Sequence, residues 1–234
     1  MKGGDIAILY AMKALHAAGA LEDTQIVVAF TGDEESAGDP VEAARKDLVE
    51  VAKRSDAAFE FEQGIGGPNS ATVARRGAAS WTLRVRGKPG HSSGIFSADA
   101  GAGAIYEASR ILHTFYEELR GEPNLTFNAG LIVGGNIVED KRGQGSASGK
   151  NNIIPQTATV TGDIRTLTFD QLARTKERMR AIVLKNLPQT SAEIIFDDGY
   201  PPMAPTEGNW TLLRELQGVS RDLGLGPLDV IDPG

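Results

Sequence analysis

The sequence predicts an α/β protein whose first, mostly parallel layer is interrupted by an inserted ferredoxin-like α+β layer. Three observations carry this reading. A short apolar run, Gln25 to Phe30, leads into three adjacent carboxylates, Asp33, Glu34 and Glu35. That is the pattern of a buried strand with functional groups just past its carboxyl end. From Trp81 the pattern changes to alternation, with Trp81, Leu83 and Val85 set against Thr82, Arg84 and Arg86, as in a strand with one wet face. The order that follows is strand, helix, strand, strand, helix, strand, the split βαβ arrangement.

Each element has a local cause. Asp5 to Ala18 reads as a helix: Asp5 favours its start, Ile6, Leu9, Tyr10 and Met12 recur near helical spacing, and Gly19 stops it. Strand Gln25 to Phe30 is followed by a helix around Val41 to Arg54 and a short strand from Ala57 to Phe61, which ends at Glu62. After the amphipathic strand at Trp81, Ala98 to Leu119 is expected to be helical, and Leu125 to Val133 a strand. Gly134 to Lys150 is rich in Gly and Ser and reads as a functional or mobile loop. Thr157 to Thr166 is a strand. Thr168 opens a helix from Phe169 to Leu187, with Asp170 and Gln171 in its first turn, and Ala192 to Phe196 closes the layer. Tyr200-Pro-Pro-Met203 is a stiff return linker, and Asn209 to Leu223 a helix of the first layer. The expected boundaries are 1–73 for the first part of one domain, 74–199 for the insert and 200–234 for the return.

Composition narrows the function. The chain has 234 residues, 41% of them hydrophobic, enough for one large or two small domains. A net charge of -7 argues against a general nucleic-acid binder. There is no cysteine, which excludes disulfides, thiolate nucleophiles and cysteine-held zinc. No apolar run approaches the length of a membrane span. The chain opens on Met1-Lys-Gly-Gly4 straight into a helix and ends on Asp232-Pro-Gly234, so both ends are expected to continue in something longer.

The carboxylates after Phe30 are the chemical centre of this reading. Like charges this close repel unless a cation or a shared proton compensates. A divalent metal, with one adjacent carboxylate left free as a base, satisfies them; the alternative is an acidic solvated loop. His91 lies in Pro89-Gly-His-Ser-Ser-Gly94, where the plain alternative is a solvated loop histidine. Arg165 has the planar fork that grips a carboxylate in a bidentate way, or it pairs with Asp163. Asn152 is a hydrogen-bonding group or a turn residue. His16 and His113 lie within helices and read as structural. Gly145-Ser-Ala-Ser-Gly149-Lys150 is one residue short of a phosphate loop, and Asn151 stands where Ser or Thr would hold magnesium.

Taken in order, Met1-Lys-Gly-Gly4, Thr31-Gly-Asp-Glu-Glu-Ser36, Phe61-Glu62, Gly90-His-Ser-Ser93, Asn152-Ile-Ile-Pro155 and Gly162-Asp-Ile-Arg165 resemble one family. It is the zinc-dependent metallopeptidase family of acetylornithine deacetylase, succinyl-diaminopimelate desuccinylase, aminoacylase and glutamate carboxypeptidase, and the likeness is greatest to the last branch. The resemblance implies a zinc-exopeptidase-like catalytic domain, present in part, with an inserted lid and dimerisation domain. It implies two zinc ions, although cobalt or manganese also suit such ligands. Glu34 resembles the general base, Glu35 a ligand of one zinc and Glu62 a ligand of the other. His91, Asn152 and Arg165 resemble the substrate-binding residues, the histidine acting across a dimer interface in some members. The implied substrate is a small peptide or N-acyl amino acid, and the implied partner a second copy of the chain, with no nucleic acid or membrane. The family's early His and bridging Asp would precede Met1, and its late His would follow Gly234. Only two of the usual five protein ligands remain, so this chain alone is expected to hold zinc poorly.

Two other readings are open. Gly90-His-Ser92-Ser-Gly94 satisfies the G-x-S-x-G pattern of a serine-hydrolase elbow. An elbow needs a buried parallel strand directly before it and a helix at the serine, and neither is expected here. A non-catalytic relative would use the insert for dimerisation alone.

Overall fold

The computed structural model describes residues 2–32, 38, 40–61, 67, 69–141 and 143–233. Helix α1 spans Lys2–Ala17, α2 Val41–Ala44 and α3 Lys46–Ala52; β1 is Ser70–Ala71 and β2 Gly77–Gly87. Then follow α4 (Ala104–Leu119), β3 (Thr126–Gly135), β4 (Ile137–Lys141), β5 (Gln144–Ser148), β6 (Thr157–Thr166), α5 (Phe169–Val183), β7 (Thr190–Asp198), α6 (Glu207–Asp222) and β8 (Asp229–Val230).

The centre is a four-stranded antiparallel sheet in the order β3-β6-β2-β7. With α4 and α5 on one face it is the ferredoxin-like layer, and β6 keeps the expected bounds. The odd residues of β2, Trp81, Leu83 and Val85, meet Ala158, Val160 and Ile164 of β6 beneath the helices. Helix α4 lends Ala108, Ile111, Phe115 and Leu119, and α5 lends Met179, Ile182 and Val183. These fall at spacings of three and four, so one stripe of each helix is buried. Trp81 and Phe115 meet edge to face at 5.9 Å and 86°, the favoured aromatic geometry. Buried Glu107 is held by two hydrogen bonds from Arg110 and one from the Leu187 backbone N–H. The Thr168 hydroxyl accepts from the Gln171 N–H and caps α5.

The other face of the sheet is open to solvent over β2 and β7, where Arg84 pairs with Glu193 across the strands. At β3, Gly145 of the β4–β5 hairpin lies against Val133, where an added Cβ would come within 2.8 Å. The expected loop from Gly134 to Lys150 is therefore largely a hairpin. Its turn is marked by Gly143 at φ +82° between the paired Lys141 and Gln144.

Helix α4 starts at Ala104 rather than Ala98, because Gly101 and Gly103 take φ +71° and +76°, outside helical geometry. Helix α5 ends at Val183, short of Leu187. The helix expected over Val41 to Arg54 breaks at Arg45 into α2 and α3. Gln25 to Phe30 and Ala57 to Phe61 are not strands. A strand is held by its neighbours' hydrogen bonds, and among the described residues none borders either segment. Ile26, Val27, Phe30, Phe59 and Phe61 are all exposed.

The segments flanking the sheet meet each other. β1 pairs with β8 in parallel. Arg75 and Met203 exchange two backbone hydrogen bonds of 2.9 Å, and the Asn209 side chain donates to the Val73 carbonyl at 2.8 Å.

Candidate functional site

Glu34, Glu35 and Glu62 lie outside the described residues. Among the described residues no group of three or more His, Cys, Asp or Glu could hold a metal ion. The described part of this region is the first turn of α1, which runs against the residue preceding Glu62. A Cβ on Gly4 would stand 2.5 Å from the Phe61 carbonyl oxygen. The second glycine of Met-Lys-Gly-Gly is thus there for a close approach of two backbones.

His91 and Asn152 come together. Beyond the last rung of β2 and β6, Gly87 donates to the Gln156 carbonyl, Ile154 to the Gly90 carbonyl and Ser92 to the Asn152 carbonyl, at 2.8, 2.8 and 2.9 Å. His91 and Ile153 form an isolated antiparallel bridge. Ile154, 1% exposed, plugs this extension into the core, and a Cβ on Gly103 would meet it at 2.7 Å. Asn-Ile-Ile-Pro therefore works as an anchor with a polar tip: the isoleucine is buried and Asn152 is left exposed beside His91. His91 Nδ1 bonds Ser93 Oγ at 2.8 Å and accepts from the Ser93 N–H, capping the short 3-10 turn Ser92–Gly94. Its Nε2 has no hydrogen-bond partner among the described residues.

Arg165 lies at the other end of the sheet. In register it stands between Ala78 of β2 and Thr126 of β3. Ala78 and Gly87 are separated by nine strand steps, roughly 30 Å at about 3.4 Å each, and His91 lies further out still. Within one chain, then, the structure unites His91 with Asn152 but does not bring either to Arg165. The Arg165 Nε donates to Asp163 Oδ2 at 3.2 Å. Both Nη groups have no protein partner among the described residues, so the outer edge of the fork faces open space on the helix-free face.

Arg76 shares that corner. Its Nη1 donates to Thr126 Oγ1 at 3.0 Å, and its Nε is shut off from solvent without an acceptor among the described residues. No motif pointed to Arg76. The available signal was parity, since it precedes Ala78, Ser80 and Thr82 at steps of two and so belongs to the polar face.

The serine elbow is absent. Ser92 follows an antiparallel strand after Lys88-Pro89-Gly90 and opens a three-residue turn, and His91 bonds Ser93 instead.

The antiparallel βαββαβ layer defines a class, the proteins that carry a peptidase dimerisation layer. The family model described as the peptidase dimerisation domain, M20_dimer, matches residues 73–191, and the chain belongs to the M20 peptidase family. It is 28% identical over 228 residues to carboxypeptidase G2 of Pseudomonas sp. (strain RS-16), a match covering 95% of this chain and 50% of that protein. The chain thus spans about half the length of this curated relative. The fold resembles aminopeptidase PepT from Bacillus cereus ATCC 10987, with a TM-score of 0.53 and 18% identity over 73% of this chain and 42% of that one. It also resembles a tripeptidase from Staphylococcus aureus subsp. aureus mu50, with a TM-score of 0.50 and 18% identity over 70% of this chain and 41% of that one. The family assignment and the antiparallel strand together leave the serine-esterase reading without support.

Proposed function

We propose that the chain is the lid-bearing half of a homodimeric metallohydrolase that cleaves an amide or peptide bond next to a free carboxylate. The observation that carries this reading is the Nη edge of Arg165, which has no partner among the described residues and lies on the open face of a peptidase dimerisation layer. A guanidinium fork in that position suits a substrate carboxylate. Residues 74–199 are taken as the insert, with the flanking segments belonging to the catalytic domain.

Glu35 and Glu62 would each ligate one of two zinc ions. When bound, such ions supply a water deprotonated near neutral pH and a polarised carbonyl. Glu34 would take the proton of the attacking water and pass it to the leaving amine. Two carboxylates fall short of the ligands a zinc site needs, so this chain by itself would turn substrate over poorly.

His91 and Asn152 cannot join Arg165 within one protomer, because the length of the sheet separates them. A second copy docked through the same layer would bring its His91 end to the first copy's Arg165 end, as two-fold symmetry allows. His91 Nε2 and the Asn152 amide would then face the carbonyl under attack.

Mixing inactive variants tests this. In the longest natural protein that carries this chain, His91→Ala and Arg165→Ala are each expected to lose activity as homodimers. Co-expressed, half the dimers would be mixed, each with one intact site, restoring about a quarter of wild-type activity. A mixture as inactive as its parents would overturn the shared site.

A further inference from the structure

We propose that Arg76 is a second guanidinium of the carboxylate grip, acting beside Arg165. This rests on the role proposed for Arg165 and adds a binding residue to it.

The geometry begins with the sheet order. Arg76 immediately precedes β2, whereas its hydrogen-bond partner Thr126 is on β3. β6 lies between these strands, so the Arg76 side chain must cross the end of β6. In register, the β6 residue between Ala78 and Thr126 is Arg165. Two like charges are thus brought to one corner of the open face. Like charges are disfavoured at such range unless an anion joins them. Asp163 answers Arg165 through its Nε. Arg76 has no carboxylate partner among the described residues.

The second observation is the orphaned donor. Arg76 Nε is buried without an acceptor among the described residues, and a buried N–H of a charged group is costly to leave unmade. Thr126 pins one nitrogen of the guanidinium, and Asp163 pins Nε of the other. Both forks are therefore held, with N–H groups left over. The buried Nε and the Thr126 bond fix how the Arg76 guanidinium sits, and an incoming carboxylate would meet its remaining Nη2 and the Nη groups of Arg165. A bound carboxylate would accept from the Nη edge of Arg165 and from Arg76, and Asp163 would act as the positioning residue that turns the Arg165 fork outward.

The test uses the longest natural protein carrying this chain and a matched pair of substrates, one with the free carboxylate and one with the same group as a carboxamide. Arg76→Met keeps the aliphatic stem that packs here. It should lower kcat/KM on the acid by about tenfold or more, mainly through KM, because a hydrogen bond to a charged group is lost. On the amide the change should stay within about twofold. Arg76→Lys should fall between, since charge is kept and the fork lost, and it stands in if the Met variant does not fold, as judged by thermal unfolding. Acetate as a competitive inhibitor gives a reading independent of turnover, and its inhibition constant should rise in both variants. Equal losses on acid and amide, or unchanged inhibition by acetate, would overturn the role of Arg76. Arg165→Lys, run alongside, separates the two proposals. If it discriminates acid from amide and Arg76→Met does not, Arg76 alone is wrong. If Arg165→Lys strikes both substrates equally, the grip itself is refuted.

Discussion

Trp81 lies across the α-carbon of Gly162. A Cβ at that position would stand 2.5 Å from Cζ2 of the indole and 1.9 Å from the Asn128 carbonyl oxygen. The same indole donates from Nε1 to the Asp163 carbonyl at 3.2 Å. One core side chain therefore fixes the stretch of β6 that bears Asp163 and Arg165.

Gly162→Ala should accordingly be among the most damaging single-methyl additions to this chain. Neither the neighbouring backbone nor the packed indole can give way cheaply, and overpacking of this kind costs about 1–3 kcal/mol or more. Urea unfolding of the chain measures it. A loss of less than about 0.5 kcal/mol, the range of ordinary surface changes, would show that the indole is free to shift.

Glu34→Gln should separate chemistry from metal binding. In the longest natural protein carrying the chain, turnover should fall by at least about 10²-fold, the scale of general base catalysis, while zinc content by atomic absorption stays near that of the wild type. Loss of zinc in this variant would make Glu34 a ligand. Glu35→Gln is expected to behave the other way, losing metal and activity together.

Glu122 gives a pH signature of the fold. A hydrogen bond from Gln171 Nε2, followed by the Arg174 guanidinium and then Arg178, holds its carboxyl below the usual range, against partial burial that pushes it up. A carboxyl lowered in the folded state stabilises above its unfolded pKa and loses that contribution as the pH falls through the folded value. Glu122→Gln should therefore lower stability at pH 7 by under about 1 kcal/mol, the scale of partly exposed pairs. The difference from wild type should close below about pH 4, the ordinary carboxyl range. Paired thermal melts at pH 7 and pH 3 decide this; a gap as wide at pH 3 would mean that the amide disturbs packing rather than charge.

The inserted layer was legible because its signals are local. β6 alternates from Thr157 to Thr166 and folds over those residues, and Thr168 caps α5 where a hydroxyl beside an acidic turn suggested it. The Asn-Ile-Ile-Pro and Gly-Asp-Ile-Arg segments could be recognised as motifs, but their placement at opposite ends of the sheet depends on strand register, which motifs do not encode. The hairpin from Ile137 to Ser148 was hidden by its Gly and Ser content, although Gly143 was the clue to its turn. The apolar runs at Gln25 and Ala57 had strand composition, yet pairing depends on neighbours that composition cannot supply. Arg76 went unnoticed because its place beside β3 follows from the strand it crosses.

The length of β2 also has a kinetic consequence. The catalytic centre proposed above would draw Arg165 from one end of this sheet and His91 from the far end of another copy's sheet, and would not exist in a lone chain. Its abundance would follow the dimerisation equilibrium, so specific activity would drop on dilution below the dissociation constant and return on concentration, with no change in either fold. Substrate spanning the two copies would hold them together, and the dimer should then tighten under turnover.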